Sequence, residues 1–486
     1  MKNIIDFIEN NGPNLSSEIA KAVSNKTGEL SASIRRKISR ECAKQNSLIA
    51  RISLNFPHNE SFIYLKRKGF DSDFYKNLKN AANKTNSVYA HMLNCFDCKN
   101  GVMLYKKALI LSGTPYRIKG HTGNDKIIED LKNVKLCYEK ELNNQIYLYS
   151  NNANDKEALA QEKVEELIIE MLKDWIVKNS FASSGVISKN NAYANCNWDI
   201  TAPCFLYFIR NGKKPGFIVV DVIYNNVDEN AIKYFINKLN IAKSLTNVQK
   251  AIPILVAKYF TPEALTMAKK QGMIATTPYN LFGHSTASLF EELLNVLINA
   301  GNIAATDFPR FMELFDKLNE IKGSTLNLTG DLFEFIVGHC YKTIYGGSLD
   351  IGRIIKYDAR EKEIDVILRT ERNEQYYIEC KGYGKSHLIE KADIEDWFEK
   401  ITFIKKWYGY YHREEMFQNI KFGYITTSDF KIDAKQFLEE KKGNIKKFEI
   451  FYMNGTDFAN FVKQSRINNT TKIINVLKEH YFKMPV

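Results

Sequence analysis

The sequence predicts a multi-domain protein in which an α+β N-terminal region precedes two consecutive α/β domains. Three observations support this prediction. The chain has 486 residues, too many for one ordinary core, and 44% of them are hydrophobic and 26% charged, as in folded proteins. Its positive charge is concentrated near the N-terminus. The remaining two thirds contain a weak internal repeat in which strands and helices alternate.

We expect four regions along the chain: 1–70, 71–155, 156–300 and 301–486. The polar stretch Asn151–Lys156 reads as the linker before the repeat. No secretory signal or membrane-length apolar run is evident, so we expect a soluble, cytoplasmic protein without a membrane partner. The eight scattered cysteines are then expected to be reduced. Cys95 and Cys98 have the spacing of zinc ligands, but no second pair follows, and ordinary thiols are favoured.

Residues 1–70 read as three helices followed by a hairpin, and they are strongly basic. The first 150 residues carry 24 Lys and Arg against 14 Asp and Glu, a net charge of +10 out of +12 for the chain. A polyanionic partner such as DNA explains this concentration of charge. The alternative is a small helical module with a solvated basic face, in a generally basic proteome. The side chains expected to contact DNA are Arg35, Arg36, Lys37, Arg40, Lys66, Arg67 and Lys68.

This order of elements resembles a winged helix, in which a basic helix enters the major groove and the hairpin touches the DNA backbone. Residues 71–155 are expected to continue with helices over Asp73–Ala82 and Ser87–Leu93. Two strands, Val102–Leu111 and Gln145–Ser150, are expected to follow. The region is either a second winged-helix-like unit or an extension of the first.

The internal repeat relates residues 160–298 to residues 326–465. Each copy has an apolar helix with an acid, a strand with an aspartate, and an apolar strand with an acid near its middle, followed by helix, strand and helix. The paired acids are Glu165 and Glu334, Asp199 and Asp365, and Asp221 and Glu379. An α/β sheet with helices on both faces is predicted for each copy. An unrelated first domain with a coincident order of strands is the alternative.

The second copy contains the residues that phosphodiester hydrolysis requires. Residues two apart in a strand face the same side, so Glu379 and Lys381 are expected to share a pocket while the Cys380 side chain faces the core. Asp365 lies on the preceding strand of a hairpin, and neighbouring strands of a sheet are about 5 Å apart. Two carboxylates and the Cys380 carbonyl are oxygen ligands suited to Mg²⁺, and Lys381 could orient or deprotonate water. Without this pattern, an exposed strand end would be the simpler interpretation.

These residues resemble the PD-(D/E)xK nuclease superfamily, in particular its Mrr-like restriction endonuclease branch. The matching segments are Gly330-Asp-Leu-Phe-Glu-Phe, Glu363-Ile-Asp365, Ile378-Glu-Cys-Lys381 and Gly423-Tyr-Ile-Thr-Thr-Ser-Asp-Phe430. The proline of the superfamily name is absent, since Glu363-Ile364 precedes Asp365. The segment Ile389–Tyr411, rich in Trp, Tyr and Lys, is either an insertion or a DNA-facing helix. The resemblance covers roughly residues 326–465.

The resemblance implies a Mg²⁺-dependent DNA endonuclease, with Mn²⁺ as a substitute. It implies that Asp365 and Glu379 bind the metal, that Lys381 serves catalysis, and that Glu334 assists. It also implies double-stranded DNA as substrate, 5′-phosphate products, and a role in restriction or anti-phage defence. A homodimer, or a methyltransferase or other defence subunit as partner, is compatible with this expectation. The rival functions are a non-catalytic DNA-binding regulator and a nuclease subunit active only within a larger complex.

The first copy is expected to be a degenerate partner of the second. Its lysine position holds Ile223, which can neither orient water nor stabilise phosphate charge. We therefore predict a restriction-endonuclease-like domain without activity over 156–300, and an active one over 301–486.

Overall fold

The computed structural model describes the chain apart from residues 117–121, 143–144, 152, 207–208, 211–213, 307–308, 310–311, 315–316, 318–328, 359, 384–386, 412–418, 446, 466, 468 and 482–486. Two compact units are present, one formed by residues 1–140 and 146–283 and the other by residues 141–145 and 284–486. The protein is a mixed α/β protein with several sheets. Within the described ranges, no helix is both long enough and apolar enough to cross a membrane.

The first unit begins with what we call the N-terminal module, residues 1–68. Its elements are α1 (Lys2–Asn11), β1 (Asn14–Leu15), α2 (Ser16–Thr27), α3 (Ser31–Cys42), β2 (Ile49–Arg51) and β3 (Phe62–Leu65). The three strands form an antiparallel sheet in the order β1-β3-β2. Apolar side chains at helical spacing, such as Ile34 and Ile38 of α3, form the core of the module. The three helices and the hairpin expected here are therefore present.

The segment after this module was only partly predicted. It contains α4 (Ser72–Lys84), α5 (Tyr89–Cys98), β4 (Val102–Leu104), α6 (Tyr105–Leu111), α7 (Asn124–Asn133), β5 (Cys137–Leu142) and β6 (Gln145–Ser150). The strand expected over Val102–Leu111 is wrong beyond Leu104, because Tyr105–Leu111 is helical. A short apolar run does not distinguish a buried strand from a buried helix. A small sheet has the order β4-β6-β5.

A five-stranded sheet completes the first unit. Its elements are α8 (Asp155–Lys178), β7 (Ser188–Tyr193), β8 (Cys196–Cys204), β9 (Gly216–Val227), α9 (Lys233–Ser244), β10 (Ala251–Phe260), α10 (Pro262–Gln271), β11 (Ile274–Thr276) and α11 (Pro278–Phe282). The strand order is β11-β10-β9-β8-β7. The pairings of β7 with β8 and β8 with β9 are antiparallel, and β9, β10 and β11 are parallel.

The second unit is built on another five-stranded sheet. The described elements are α12 (His284–Ile298), α13 (Ala300–Thr306), α14 (Thr329–Tyr345), β12 (Ser348–Tyr357), β13 (Arg360–Arg369), β14 (Gln375–Lys381), β15 (Leu388–Ile389), α15 (Lys391–Tyr411), β16 (Ile420–Thr426), β17 (Asp429–Phe430), α16 (Ile432–Asn444), β18 (Glu449–Met453), α17 (Gly455–Gln464) and α18 (Thr470–His480). The large sheet has the order β12-β13-β14-β16-β18. The pairings of β12 with β13 and of β13 with β14 are antiparallel. The pairings of β14 with β16 and of β16 with β18 are parallel.

The two large sheets share one topology. In each, three antiparallel strands lead into a parallel half, and a helix connects the third strand to the fourth. The order of elements predicted from the internal repeat is therefore present in both units. Helix α15 covers one face of the second sheet, where Trp397, Ile401 and Ile404 are buried in the core. The aromatic residues of Ile389–Tyr411 thus include core residues of the sheet.

Candidate active site

Asp365 and Glu379 lie side by side on neighbouring strands of the second unit. The antiparallel register of β13 and β14 runs from Arg369 opposite Gln375 to Val366 opposite Ile378. Beyond that pair, the Cys380 backbone N–H donates to Asp365 Oδ2 at 2.7 Å. Side chains alternate along a strand, so Asp365 and Glu379 share one face of the sheet. Both carboxylates are buried.

Two lysines neutralise these carboxylates. The Nζ of Lys381 lies 2.9 Å from Glu379 Oε1. Lys400, on α15, donates to the other oxygen, Glu379 Oε2, and its Nζ lies 3.9 Å from Asp365 Oδ1. We call these four residues, Asp365, Glu379, Lys381 and Lys400, the carboxylate–lysine cluster. The predicted neighbours Asp365, Glu379 and Lys381 are thus brought together, and a lysine that was not predicted joins them.

The two carboxylates of the cluster have shifted pKa values of opposite sign. Burial and the nearby Glu379 charge raise the pKa of Asp365 to about 6. Burial also acts to raise the pKa of Glu379, but Lys400 and Lys381 outweigh it and lower that pKa to about 2. Glu379 is therefore firmly ionised. The charged form of Asp365 is disfavoured by its burial and by repulsion from the Glu379 carboxylate.

The lysine pKa values indicate ammonium groups that keep their protons. Burial acts to lower the pKa of Lys381, but the carboxylates of Glu379 and Asp365 raise it overall. The same two carboxylates raise the pKa of Lys400 against its burial. Such groups can orient water and stabilise phosphate charge, but they are poor general bases near neutral pH.

Paired threonines fix the end of β14 behind Lys381. Thr426 Oγ1 and the Thr427 backbone N–H donate to the Lys381 carbonyl oxygen at 3.0 and 3.1 Å. Thr427 Oγ1 also donates to the Tyr383 carbonyl oxygen at 2.7 Å. The threonine motif of the sequence thus holds the backbone at Lys381 and after it.

The other sequence-predicted residues of the second unit lie around this cluster. Cys380 is buried, and burial raises the pKa of its thiol well above the usual value. Because its side chain alternates with that of Glu379, Cys380 faces the opposite side of the sheet, as expected. The charge of Glu334, on α14, also raises the pKa of that thiol and of the Tyr481 hydroxyl. Glu334 therefore lies within electrostatic reach of Cys380, as Asp365 and Glu379 do.

The first unit contains a closely similar arrangement at the matching strands. Ile200 is opposite Val220, and beyond this pair the Val222 backbone N–H donates to Asp199 Oδ2 at 2.7 Å. Asp199 and Asp221 thus occupy the places of Asp365 and Glu379. Ile223 stands where the second unit has Lys381.

Three buried lysines pair with the acids of the first unit. Lys99 lies 2.8 Å from Glu165, Lys107 lies 2.5 Å from Asp199 and 3.6 Å from Glu165, and Lys238 lies 2.6 Å from Asp221. Lys238 also sits 3.7 Å from the centre of the Trp198 ring. Three carboxylates and three ammonium groups therefore balance one another. We call this set the closed cluster: Glu165, Asp199, Asp221, Lys99, Lys107 and Lys238.

The basic residues of the N-terminal module differ in whether their side chains already have ion-pair or hydrogen-bond partners. Several are already paired: Arg35 with Glu60 at 3.4 Å, Lys37 with Glu29 at 2.7 Å, and Arg67 with Glu9. Lys66 donates to the Gln45 carbonyl oxygen at 3.0 Å and Lys68 to that of Glu9 at 3.5 Å. Arg36 and Arg40 are exposed on α3, and neither has an ion-pair partner in the part of the chain that the structure describes.

Sequence reasoning missed Lys400, Lys99, Lys107 and Lys238. A usable signal existed for two of them. Lys238 and Lys400 each lie on the helix after the acid-bearing strand, next to the apolar positions that face the sheet. A lysine beside the buried stripe of a helix in both copies indicates a buried anion beneath it.

Comparisons with known proteins add no support for a family. No family model matches the chain, and no curated protein matches it. Three solved structures are similar over part of the chain. A repair endonuclease from Pyrococcus abyssi is 16% identical over 28% of this chain, with a TM-score of 0.19. An EndoMS–dsDNA complex is 14% identical over 27%, with a TM-score of 0.19, and protein VC1899 from Vibrio cholerae is 13% identical over 43%, with a TM-score of 0.16.

Each alignment spans about half of the solved chain, 51% in all three cases. At these TM-scores the likenesses carry no argument about fold or activity. The functional interpretation therefore depends on the geometry of the chain itself.

Proposed function

We propose that the chain is a metal-dependent DNA endonuclease whose active site is the carboxylate–lysine cluster of the second unit. The observation that carries the proposal is the convergence of Asp365, Glu379 and Lys381 on one face of the sheet, where β13 and β14 stop pairing. Two buried carboxylates beside a cation are what phosphodiester hydrolysis requires, because charge develops on the phosphate oxygens in the transition state.

The donor set fits a divalent cation such as Mg²⁺ or Mn²⁺. Asp365 and Glu379 would hold it, with the Cys380 carbonyl as a further oxygen ligand. In the described ranges no group of three or more His, Cys, Asp or Glu side chains is arranged to hold a metal, so carbonyl and water ligands would complete the set. A bound cation supplies Lewis acidity and a more acidic water. Lys381 would orient the phosphate and stabilise its negative charge, since its raised pKa disfavours a role as base.

The N-terminal module would bind duplex DNA in the manner of a winged helix. Three helices and a three-stranded antiparallel sheet in the order β1-β3-β2 support this assignment. The closed cluster would make the first unit a nuclease-like domain without activity, because Ile223 replaces the lysine and three ammonium groups already neutralise its acids. One active site per chain would require a homodimer, or two successive nicks, for double-strand cleavage.

A second candidate function is a DNA-binding regulator or scaffold without catalysis. The observation that favours it is the pairing of both carboxylates in the second unit with Lys381 and Lys400, which balances their charge without a metal. A silent nuclease subunit within a defence complex, beside a methyltransferase or another protein, would look the same in isolation.

A plasmid nicking assay separates these functions. With Mg²⁺ or Mn²⁺, the wild-type protein is expected to nick supercoiled DNA. Lys381→Ala is expected to lower the rate roughly a hundred- to a thousandfold, as for loss of one group that stabilises the transition state. Lys435→Ala, an exposed lysine on α16, serves as the control for lost positive charge. Cleavage that Lys381→Ala leaves unchanged would refute this site, and tight duplex binding without any cleavage would favour the regulator.

The DNA-binding role of α3 leads to a separate prediction. The double variant Arg36→Ala/Arg40→Ala is expected to weaken duplex binding and to reduce the slope of log K against log salt by about 2, one for each phosphate that an arginine no longer neutralises. Fluorescence anisotropy with labelled duplex at several salt concentrations measures both. Lys269→Ala/Lys270→Ala removes the same charge from exposed positions of α10 and is expected to change the slope little. Equal effects of the two variants would argue against α3 as the DNA-binding helix.

A further inference from the structure

Lys400 is the group that contacts both carboxylates of the carboxylate–lysine cluster. Lys381 reaches Glu379 through Oε1. Lys400 donates to the remaining oxygen of Glu379 and lies 3.9 Å from Asp365 Oδ1. A divalent cation held by Asp365 and Glu379 would need oxygens from these same two side chains. The Lys400 ammonium is therefore a competitor for the ligands of the proposed metal.

The charges of the cluster make simultaneous occupancy unfavourable. Asp365 and Glu379 contribute two negative charges, and Lys381 and Lys400 contribute two positive charges. A divalent cation added to this set would leave two uncompensated positive charges in a largely buried site. Withdrawal of Lys400 would remove one of them and would free an oxygen of Glu379.

The first unit contains a corresponding lysine that is more deeply buried. Lys238, on the helix that follows β9, pairs with Asp221 as Lys400 pairs with Glu379. Its side chain is 1% exposed and packs on the Trp198 ring, whereas the side chain of Lys400 is 16% exposed. Lys400 is thus partly exposed to solvent, whereas Lys238 is enclosed. The corresponding lysines therefore differ in exposure, and withdrawal toward solvent would be easier for Lys400 than for Lys238.

We infer that Lys400 is an internal counter-ion that holds Asp365 and Glu379 in place without metal and must withdraw when a divalent cation binds. The inference rests on the proposed function, because it takes these two carboxylates as the metal ligands. Removal of the Lys400 charge should then tighten metal binding, although the side chain stabilises the metal-free protein. Lys400 is a positioning residue in this scheme: it sets the metal affinity and takes no part in the reaction.

Metal affinity, measured without DNA, tests the inference. Mn²⁺ binding is followed by isothermal titration calorimetry and by the electron paramagnetic resonance signal of free Mn²⁺, at one fixed pH. Lys400→Met and Lys400→Gln are expected to bind Mn²⁺ roughly tenfold or more tightly than the wild type, as for loss of one close like charge. Lys400→Arg keeps the charge and is expected to remain close to the wild type. Lys391→Met removes an exposed lysine from the same helix and is the matched control.

The outcomes distinguish this inference from the proposed function. Tighter binding by Lys400→Met and Lys400→Gln, with no change in Lys391→Met, would support it. Equal affinity in the wild type and both neutral variants, together with weaker binding by Asp365→Asn, would overturn the inference and leave the metal site intact. If the folded wild type and the neutral variants all fail to bind Mn²⁺, the proposed metal site falls, and the inference falls with it. Thermal unfolding in EDTA verifies that each variant is folded.

Discussion

Asp365→Asn is expected to reduce metal-dependent DNA nicking by about a thousandfold or more while leaving the fold intact. The substitution removes one of the two carboxylates proposed to hold the cation, and each 1.36 kcal/mol lost from transition-state stabilisation lowers the rate tenfold. The new side chain is nearly the same size, and its carbonyl oxygen can still accept the Cys380 N–H, which lies 2.7 Å from Asp365 Oδ2 in the wild type. Nicking rates of both proteins, with and without EDTA, measure the effect.

The same variant should be more stable than the wild type at neutral pH. Burial and Glu379 raise the pKa of Asp365 from 3.8 to about 6, so the folded state binds this proton more tightly than the unfolded state does. The contribution of Asp365 to stability therefore falls as the pH rises between these two values, and above about pH 6 the whole penalty is present. Asn carries no such penalty, so its advantage should be largest above pH 6 and vanish below about pH 4.

Glu379 provides an internal control for the direction in which stability changes with pH. Its pKa is lowered from 4.5 to about 2, so its contribution to stability is present above pH 4.5 and is lost as the pH falls towards 2. That loss should appear in both the wild type and Asp365→Asn. Urea unfolding between pH 2 and pH 8 tests the argument, and a variant less stable than the wild type at pH 7 would contradict it.

Lys238→Met should destabilise the first unit by about 3–5 kcal/mol, the usual effect of removing one partner from a buried ion pair. Lys238 is 1% exposed and Asp221 is fully buried, so the variant leaves a carboxylate without its counter-ion in the core. The substitution also removes a cation from the face of Trp198. Urea unfolding followed by tryptophan fluorescence, to which Trp198 contributes, measures the loss.

A second substitution distinguishes lost charge balance from lost packing. Lys238→Met/Asp221→Asn removes both charges, while Asn can still accept the Asp199 N–H. This double variant should recover much of the lost stability, because replacing both members of a buried pair is far less costly than removing one. Lys269→Met, at an exposed position of α10, is the control and should change stability little. A loss that the second substitution does not relieve would show that packing dominates.

The sequence predicted those parts of the candidate site that follow from strand periodicity. The two-residue alternation of β14 was enough to put Glu379 and Lys381 on one face and Cys380 on the other. The repeated order of acids predicted that Asp199 and Asp221 would meet as Asp365 and Glu379 do. These relations depend on antiparallel strands that follow one another along the chain, which a sequence pattern carries well.

Lys107, Lys238 and Lys400 could not be located in the same way, because they reach the acids from helices, and Lys99 does so from the turn that follows α5. Periodicity indicates which face of a helix is buried, but not which strand end it covers. Lys107 was hidden further by the prediction of a strand over Val102–Leu111. It lies in the helical part of that segment, from which it contacts Asp199. The charge balance of both clusters therefore became visible only in three dimensions.

The tight connection between β13 and β14 has a consequence for how the gene can change. Within it, the Thr370 N–H donates to the Glu374 carbonyl oxygen at 2.9 Å and the Asn373 N–H to that of Thr370 at 3.1 Å. This loop sets which residue of β14 stands opposite Asp365. If gain or loss of a single codon here slipped β14 by one step, Cys380 would turn toward Lys400, and Glu379 and Lys381 would turn to the opposite face of the sheet. Loop length in this hairpin therefore sets which side chains of β14 face Asp365.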